Sequence, residues 1–308
     1  MKTATPFGDS LRIPLIAAPM FLVSTPSLVI ELCKSGVIGT FPALNARSRA
    51  DLADWIDQIT RGLKQGEVKT PFAVNLTASA KNTRFDADLS TCIDFRVPLV
   101  ITSMSSTRAV VDQVHAYGGL VFHDVINLRH ARKAVEAGVD GIIAVAAGAG
   151  GHGGAISPFA LVKEIRQIFD GTIVLGGALT SGGDILAAQA MGADMAYMGT
   201  PFINTDESAA PDAYRQMLVE SDAADVVYTP LVSGVPANFL KQSLARGGYD
   251  TATDVVGNAR AWSEVWSAGH GVGQITSKTV PAKALCDKLE REYRSSLQAF
   301  VQMHSYLH

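Results

Sequence analysis

The sequence predicts a (β/α)8 TIM barrel with a smaller helix-rich insert near its C-terminus. Three observations predict it. Short β-type runs alternate with helical patterns over roughly the first 200 residues, the rhythm of strand–helix units. The runs are continuous apolar stretches, as expected of parallel strands covered by helices. There are eight of them, and eight parallel strands close a barrel more economically than they fill a doubly wound sheet.

In chain order, Leu15–Ala18 is the first strand, and Thr25-Pro26-Ser27 opens a helix that stops near Ser35-Gly36. Val37–Phe41 is the second strand, and Ser48 caps a long amphipathic helix that runs to Gly66. Phe72–Leu76, Val97–Thr102 and Gly119–His123 follow, with a helix from Thr107 to Tyr117 between the last two. Helix Arg129–Ala137 ends at Gly138 and leads to strand Gly141–Ala146; a helix from Ser157 to Phe169 precedes Thr172–Gly176, and Met195–Gly199 is the eighth strand. After Phe202 the rhythm breaks. Residues 205–277 read as helix and loop, with Asp212–Ala223 helical and Pro230, Pro236 and Gly247-Gly248 as breakers. Residues 1–204 with 278–308 form the barrel, which the helix Ala284–Met303 completes; 205–277 form a lid over its mouth.

The 308 residues are 47% apolar and 18% charged, the composition of an ordinary globular protein. A net charge of −3 gives no reason to expect a nucleic acid or an anionic membrane as partner. Cys33, Cys92 and Cys286 form no CxxC pair and suit a reducing compartment as buried apolar residues. Residues 1–6 lack the apolar core of a leader and no apolar run reaches membrane-spanning length, so the expected location is cytoplasmic.

Barrel chemistry sits at the C-terminal ends of the strands. Those ends supply Pro19-Met20-Phe21, Asn75, Thr102-Ser103-Met104, His123-Asp124, the loop Ala146–Gly154, Gly176-Gly177 and Gly199-Thr200. The loop holds five glycines and one ionisable side chain, His152. Its Gly148, Gly150 and Gly153 spell G-x-G-x-x-G, but Asp170 precedes the next strand instead of ending it, so a dinucleotide cradle is rejected. His152 has neither a helix face nor an apolar stripe to join and is the candidate acid–base residue. His123 ends an apolar strand and reads as a hydrogen-bonded core residue. No His/Asp/Glu spacing suggests a metal. The glycine turns at Gly176-Gly177 and Gly199-Thr200 fall where barrels bind phosphate. A phosphate with few charged residues nearby points to a cofactor that brings its own chemistry.

Ala17-Ala18-Pro19-Met20, Asn75, Ala149–Gly154, Gly176-Gly177-Ala178, Met198–Phe202 and Ser267–Gly273 together resemble the nitronate monooxygenase (2-nitropropane dioxygenase-like) family, in family order over nearly the whole chain. FMN-dependent enoyl-thioester reductases and NAD(P)H:quinone reductases share the scaffold and the G-G-H loop. The resemblance implies FMN, with its phosphate on Gly176-Gly177-Ala178 and Gly199-Thr200. Its ring would lie against Pro19, Met20 and Phe21 beside Gly151, with Asn75 on the ring edge. His152 falls on the family's catalytic histidine, which removes a substrate proton near the flavin. A nitronate would be oxidised with O2 to a carbonyl compound and nitrite. The sequence departs from the pattern where Gly148 and Gly153 replace an acidic and a basic residue, where Asp124 stands in a slot that is lysine in some relatives, and where His270 replaces glutamine. The last two count among the cofactor-binding candidates, Asp124 leaving charge stabilisation of a reduced flavin to another donor.

Three functions follow: an FMN-dependent nitronate monooxygenase acting on a small molecule and O2; an FMN reductase using NAD(P)H; and a non-catalytic phosphate-ligand-binding barrel. The assembly expected is a monomer or homodimer. In the lid, Tyr228, Asn238 and Phe239 are the candidates to line the pocket.

Overall fold

The computed structural model describes residues 5–303 apart from 80, 106, 261 and 277. Residues 1–4 of the N-terminal segment and 304–308 of the closing segment lie outside the described residues. The barrel strands are β1 (Leu15–Ala17), β2 (Thr40–Pro42), β3 (Ala73–Thr77), β4 (Leu99–Ser103), β5 (Leu120–Val125), β6 (Gly141–Val145), β8 (Thr172–Gly176) and β9 (Met195–Met198). All neighbours are parallel, in the order β1-β9-β8-β6-β5-β4-β3-β2. The ends of this series meet where Ile16 bridges Ile38: the Ala17 amide donates to Ile38 O at 2.9 Å, and the Ile38 amide to Leu15 O at 3.2 Å. A (β/α)8 barrel results. The second strand starts three residues later than the apolar run Val37–Phe41 suggests, because Val37–Gly39 approaches β1 through that single bridge before regular pairing with β3 begins.

The helices are α1 (Pro26–Lys34), α2 (Arg49–Gln65), α3 (Phe85–Asp94), α4 (Arg108–His115), α5 (Leu128–Ala137), α6 (Pro158–Arg166), α7 (Gly182–Ala190), α8 (Thr200–Ile203), α9 (Asp212–Val219), α10 (Lys241–Arg246) and α11 (Ala282–Met303). Thr25, Ser48, Thr107, Asn127 and Ser181 each accept, through the side chain, the amide three residues on, satisfying a donor that the helix itself leaves orphaned. Ile16, Leu99, Ile101, Phe122, Ile143 and Met195 fill the barrel, while the outer strand faces pack on helices through residues such as Leu52, Ile56 and Ile165. Leu285, Cys286 and Leu289 dock α11 onto the barrel as the closing helix. At Gly182 the backbones of α7 and α11 touch; a Cβ there would lie 2.2 Å from both Leu289 O and Tyr293 N.

The insert is not only helix and loop. The expected helix Asp212–Ala223 stops at Val219, and two strands follow, β10 (Val226–Thr229) and β11 (Ala237–Leu240), paired as an antiparallel hairpin. Pro230 and Pro236 bound the hairpin loop instead of merely interrupting helix, since a proline at a strand's end removes no ladder bond. The hairpin's third partner comes from the barrel: β7 (Gly151–His152), in the glycine loop, pairs antiparallel with β11, Ala237 opposite His152 and Asn238 opposite Gly151.

Candidate active site

A cavity of about 790 Å³ opens over the C-terminal ends of the strands, between barrel and insert. Its size is that of a site for a cofactor-sized ligand. The structure brings together there Pro19, Met20 and Phe21; Asn75, Ser103 and Asp124; Gly151 and His152; Gly176, Gly177 and Ala178; and Gly199 and Thr200. His270 is not among them. Gly269 and Gly271 on either side line the cavity, whereas the His270 side chain is exposed and its amide donates to Gly148 O at 2.9 Å. Of the lid candidates, Tyr228 lines the cavity, but Asn238 and Phe239 do not. Asn238 is buried beneath the glycine loop and donates to Ala149 O at 2.6 Å, and Phe239 packs on Trp262 with ring centroids 5.0 Å apart.

The glycine loop is shaped by its neighbours. Gly148 and Gly151 have φ of +86° and +70°, backbone that glycine adopts without strain. Gly150 lies against the insert's backbone: a Cβ would meet Gly269 N at 2.8 Å and Ala268 C at 3.0 Å. Tyr228 donates from its hydroxyl to Gly153 O at 2.9 Å. The loop is therefore clamped between β6 and the insert.

His152 lies at the cavity wall with part of its ring surface open. Its Nε2 is 3.0 Å from Ser233 Oγ, and Trp262 meets the ring edge-on at 5.1 Å. Desolvation lowers its pKa below the usual imidazole value, so the ring is neutral at pH 7 and able to accept a proton. His123 is the core residue expected: its Nδ1 lies 2.8 Å from Thr102 Oγ1, and burial pushes its pKa down to about 4.

A polar chain crosses the strand ends. Asn75 Nδ2 donates to Ser103 Oγ at 2.7 Å and to Ile101 O at 3.2 Å, and Ser103 Oγ donates to Asp124 Oδ2 at 2.6 Å. Burial drives the Asp124 carboxyl up to about 7, against the opposing effect of the Ser103 hydrogen bond. Asp124 Oδ1 and the Tyr197 hydroxyl are buried without a hydrogen-bond partner among the described residues. Burial, and secondarily the charge of Asp124, raise the Tyr197 phenol. Buried polar atoms without partners are costly, so two of them in one cavity wall suit a ligand with polar edges.

At the expected phosphate end, the amides of Thr180, Ser181 and Gly182, which lead into α7, are already engaged. Asp184 accepts from Thr180 and Ser181, both at 2.8 Å, and Glu292 accepts from Gly182 at 2.9 Å. The turn at Gly176-Gly177 is held against the glycine loop, with the Ala178 amide donating to Gly148 O at 3.2 Å. No lysine or arginine is found among the described residues lining the cavity. Ser233 and Trp262 carry no sequence signal, since they lie in loops and reach His152 only through the fold. Tyr197 is hidden in an apolar strand.

The profile of the nitronate monooxygenase family matches residues 41–289. The chain belongs to the nitronate monooxygenase family. It is thus an oxidoreductase of a flavin-dependent family. A nitronate monooxygenase of Paraburkholderia phytofirmans is 26% identical, the match covering 94% of each chain. A dehydrogenase of Rhodococcus jostii acting on an octahydroindene carboxyl-CoA is 26% identical over 79% of this chain and 67% of its own. Among solved structures, FabK from Thermotoga maritima superposes with a TM-score of 0.82 at 22% identity, covering 97% of this chain and 99% of its own. Nitroalkane oxidase from Streptomyces ansochromogenes gives 0.80 at 24%, covering 94% and 99%. At those identities the structural likeness speaks for the fold.

Proposed function

We propose that this member of the nitronate monooxygenase family binds FMN and oxidises alkyl nitronates, with O2, to a carbonyl compound and nitrite. The observation that carries the reading is His152: a neutral imidazole on the wall of a largely apolar cavity whose other ionisable side chains, among the described lining residues, are Asp124, His130, Tyr197, Tyr214 and Tyr228. The residues present fit FMN. Pro19, Met20 and Phe21 offer an apolar surface for a flat ring, and the unpartnered Asp124 Oδ1 and Tyr197 hydroxyl suit its polar edge. Asn75 has its amide nitrogen engaged, so what it offers a ligand is its acceptor oxygen. With the amides of Thr180, Ser181 and Gly182 engaged, the phosphate would draw on the Gly199-Thr200 turn more than on the approach to α7. Bound flavin would supply the capacity to accept electrons from the substrate and deliver them to dioxygen. His152 would hold the substrate's polar end and take up a proton where the substrate still carries one. The insert would exclude water above it.

The test is to mix anaerobic holoprotein separately with propyl nitronate, NADH and NADPH while following flavin absorbance. The proposal expects rapid bleaching by the nitronate alone. Bleaching by a nicotinamide and not by nitronate makes the protein a reductase, and a colourless protein that takes up no FMN removes both readings.

A further inference from the structure

The geometry points to Ser233 as a positioning residue that fixes the tautomer of His152, with Nε2 carrying the ring hydrogen and Nδ1 left as the basic nitrogen. Ser233 stands in the loop between β10 and β11, 81 residues from His152 in sequence. Its Oγ has three neighbours: Val235 O at 3.0 Å, the Val235 amide at 3.4 Å and His152 Nε2 at 3.0 Å. A serine hydroxyl has one hydrogen to give and two lone pairs. The Val235 carbonyl can only accept, whereas an imidazole nitrogen can donate or accept, so all three contacts are satisfied together only when the hydroxyl hydrogen goes to Val235 O. The lone pairs then face the Val235 amide and Nε2, and the imidazole must supply an N–H. A neutral imidazole has only one, so the lone pair that can receive a proton is on Nδ1. Among the described residues, no hydrogen bond to Nδ1 competes for it. The arrangement is held from two further sides: the ladder places His152 opposite Ala237 on the same hairpin, and Trp262 meets the ring edge-on with the planes at 79°.

This inference rests on the proposed function for its consequence. A nitronate arrives already deprotonated, but a neutral nitroalkane does not. With Nδ1 as base, the proton on the carbon bearing the nitro group passes to Nδ1. The C–H electron pair stays on the substrate, which becomes the nitronate, and the imidazole becomes an imidazolium whose Nε2–H remains on Ser233. The site thereby extends to neutral carbon acids, and the insert hairpin, through Ser233, decides how well it does so.

The tautomer can be read without any substrate. In 15N-labelled holoprotein at about pH 8, above the usual imidazole pKa, two-bond 1H–15N correlations distinguish the two ring nitrogens, and His152→Gln identifies the signal by its loss. Wild type is expected to show Nε2–H. Ser233→Ala should shift the ring toward a mixture with Nδ1–H, and Ser233→Thr, which keeps the hydroxyl, should restore the wild-type pattern. A wild-type ring with its hydrogen on Nδ1 overturns the inference, as does an unchanged tautomer in Ser233→Ala. In turnover, Ser233→Ala should lose at least about tenfold in kcat/KM for 2-nitropropane and under about twofold for its nitronate, because only the former needs the base. Equal losses on both overturn the positioning role. A protein that oxidises neither substrate sinks the proposed function while leaving the tautomer result to stand or fall by itself.

Discussion

Ser103 donates its hydroxyl hydrogen to Asp124 Oδ2 at 2.6 Å, while Oδ1 of the same carboxyl is buried with no partner among the described residues. Half of the group is satisfied by protein and half is left for something else. Burial dominates, and the carboxyl titrates at about 7 in place of the usual carboxylate range. A raised folded-state pKa means the folded protein prefers the protonated form; its stabilising contribution is complete below about pH 4 and is lost as pH rises to about 7. In flavin-free protein, the Tm of wild type should fall relative to Asp124→Asn across that window and then run parallel to it. A difference independent of pH would mean the carboxyl is ionised throughout.

His152→Ala is expected to keep FMN, judged by the flavin spectrum, and to lose at least about tenfold in turnover of a neutral nitroalkane, since a positioned base contributes that or more. Oxidation of the preformed nitronate should suffer less. In wild type, kcat/KM for the nitroalkane should fall as pH drops through a pKa below the usual imidazole value, because burial favours the neutral ring. A pH profile with no acid limb, or a His152→Ala enzyme of unchanged rate on both substrates, removes the histidine from the chemistry.

With no lysine or arginine among the described lining residues, FMN affinity should respond weakly to salt. Between about 0.05 and 0.5 M NaCl the Kd, followed by flavin fluorescence, is expected to move by less than about threefold, because backbone amides and neutral groups are screened less than exposed cations. A tenfold weakening would reveal an ion pair to the phosphate.

Gly182→Ala would press a Cβ onto backbone atoms of α11, which cannot rotate away as a side chain can. The expected loss is more than about 3 kcal/mol, the upper range of overpacking. Gly150→Ala forces the glycine loop off the 268–269 backbone and should cost about 1–3 kcal/mol, together with faster proteolysis of the insert. Thermal unfolding and limited trypsin digestion check both; a Gly150→Ala protein as stable as wild type would show that loop and insert part easily.

The barrel was legible because its physics is local. Covered parallel strands must be apolar runs, and helices need acceptors for their first-turn amides, which Ser48 and Thr107 advertise one helix at a time. The hairpin was not, since Val226–Thr229 and Ala237–Leu240 are four residues each and gain their identity from pairing with each other and with Gly151–His152. Within the site, Gly199-Thr200 and Asn75 could be found from their place at strand ends. Ser233 and Trp262 could not, because their parts depend on contacts that only the folded insert makes. The glycine loop shows both sides. Its abundance of glycine signalled close approach, but for Gly150 what approaches is the insert's own backbone.

That two-residue strand in the glycine loop blurs the border between barrel and lid. By sequence, Gly151 and His152 belong to the barrel; by hydrogen bonding they complete the insert's sheet. Substrate range and proton-handling are consequently not separable modules. Anyone exchanging residues 205–277 for a relative's segment to change what enters the cavity would also re-register the histidine, so the loop 146–154 has to travel with the graft.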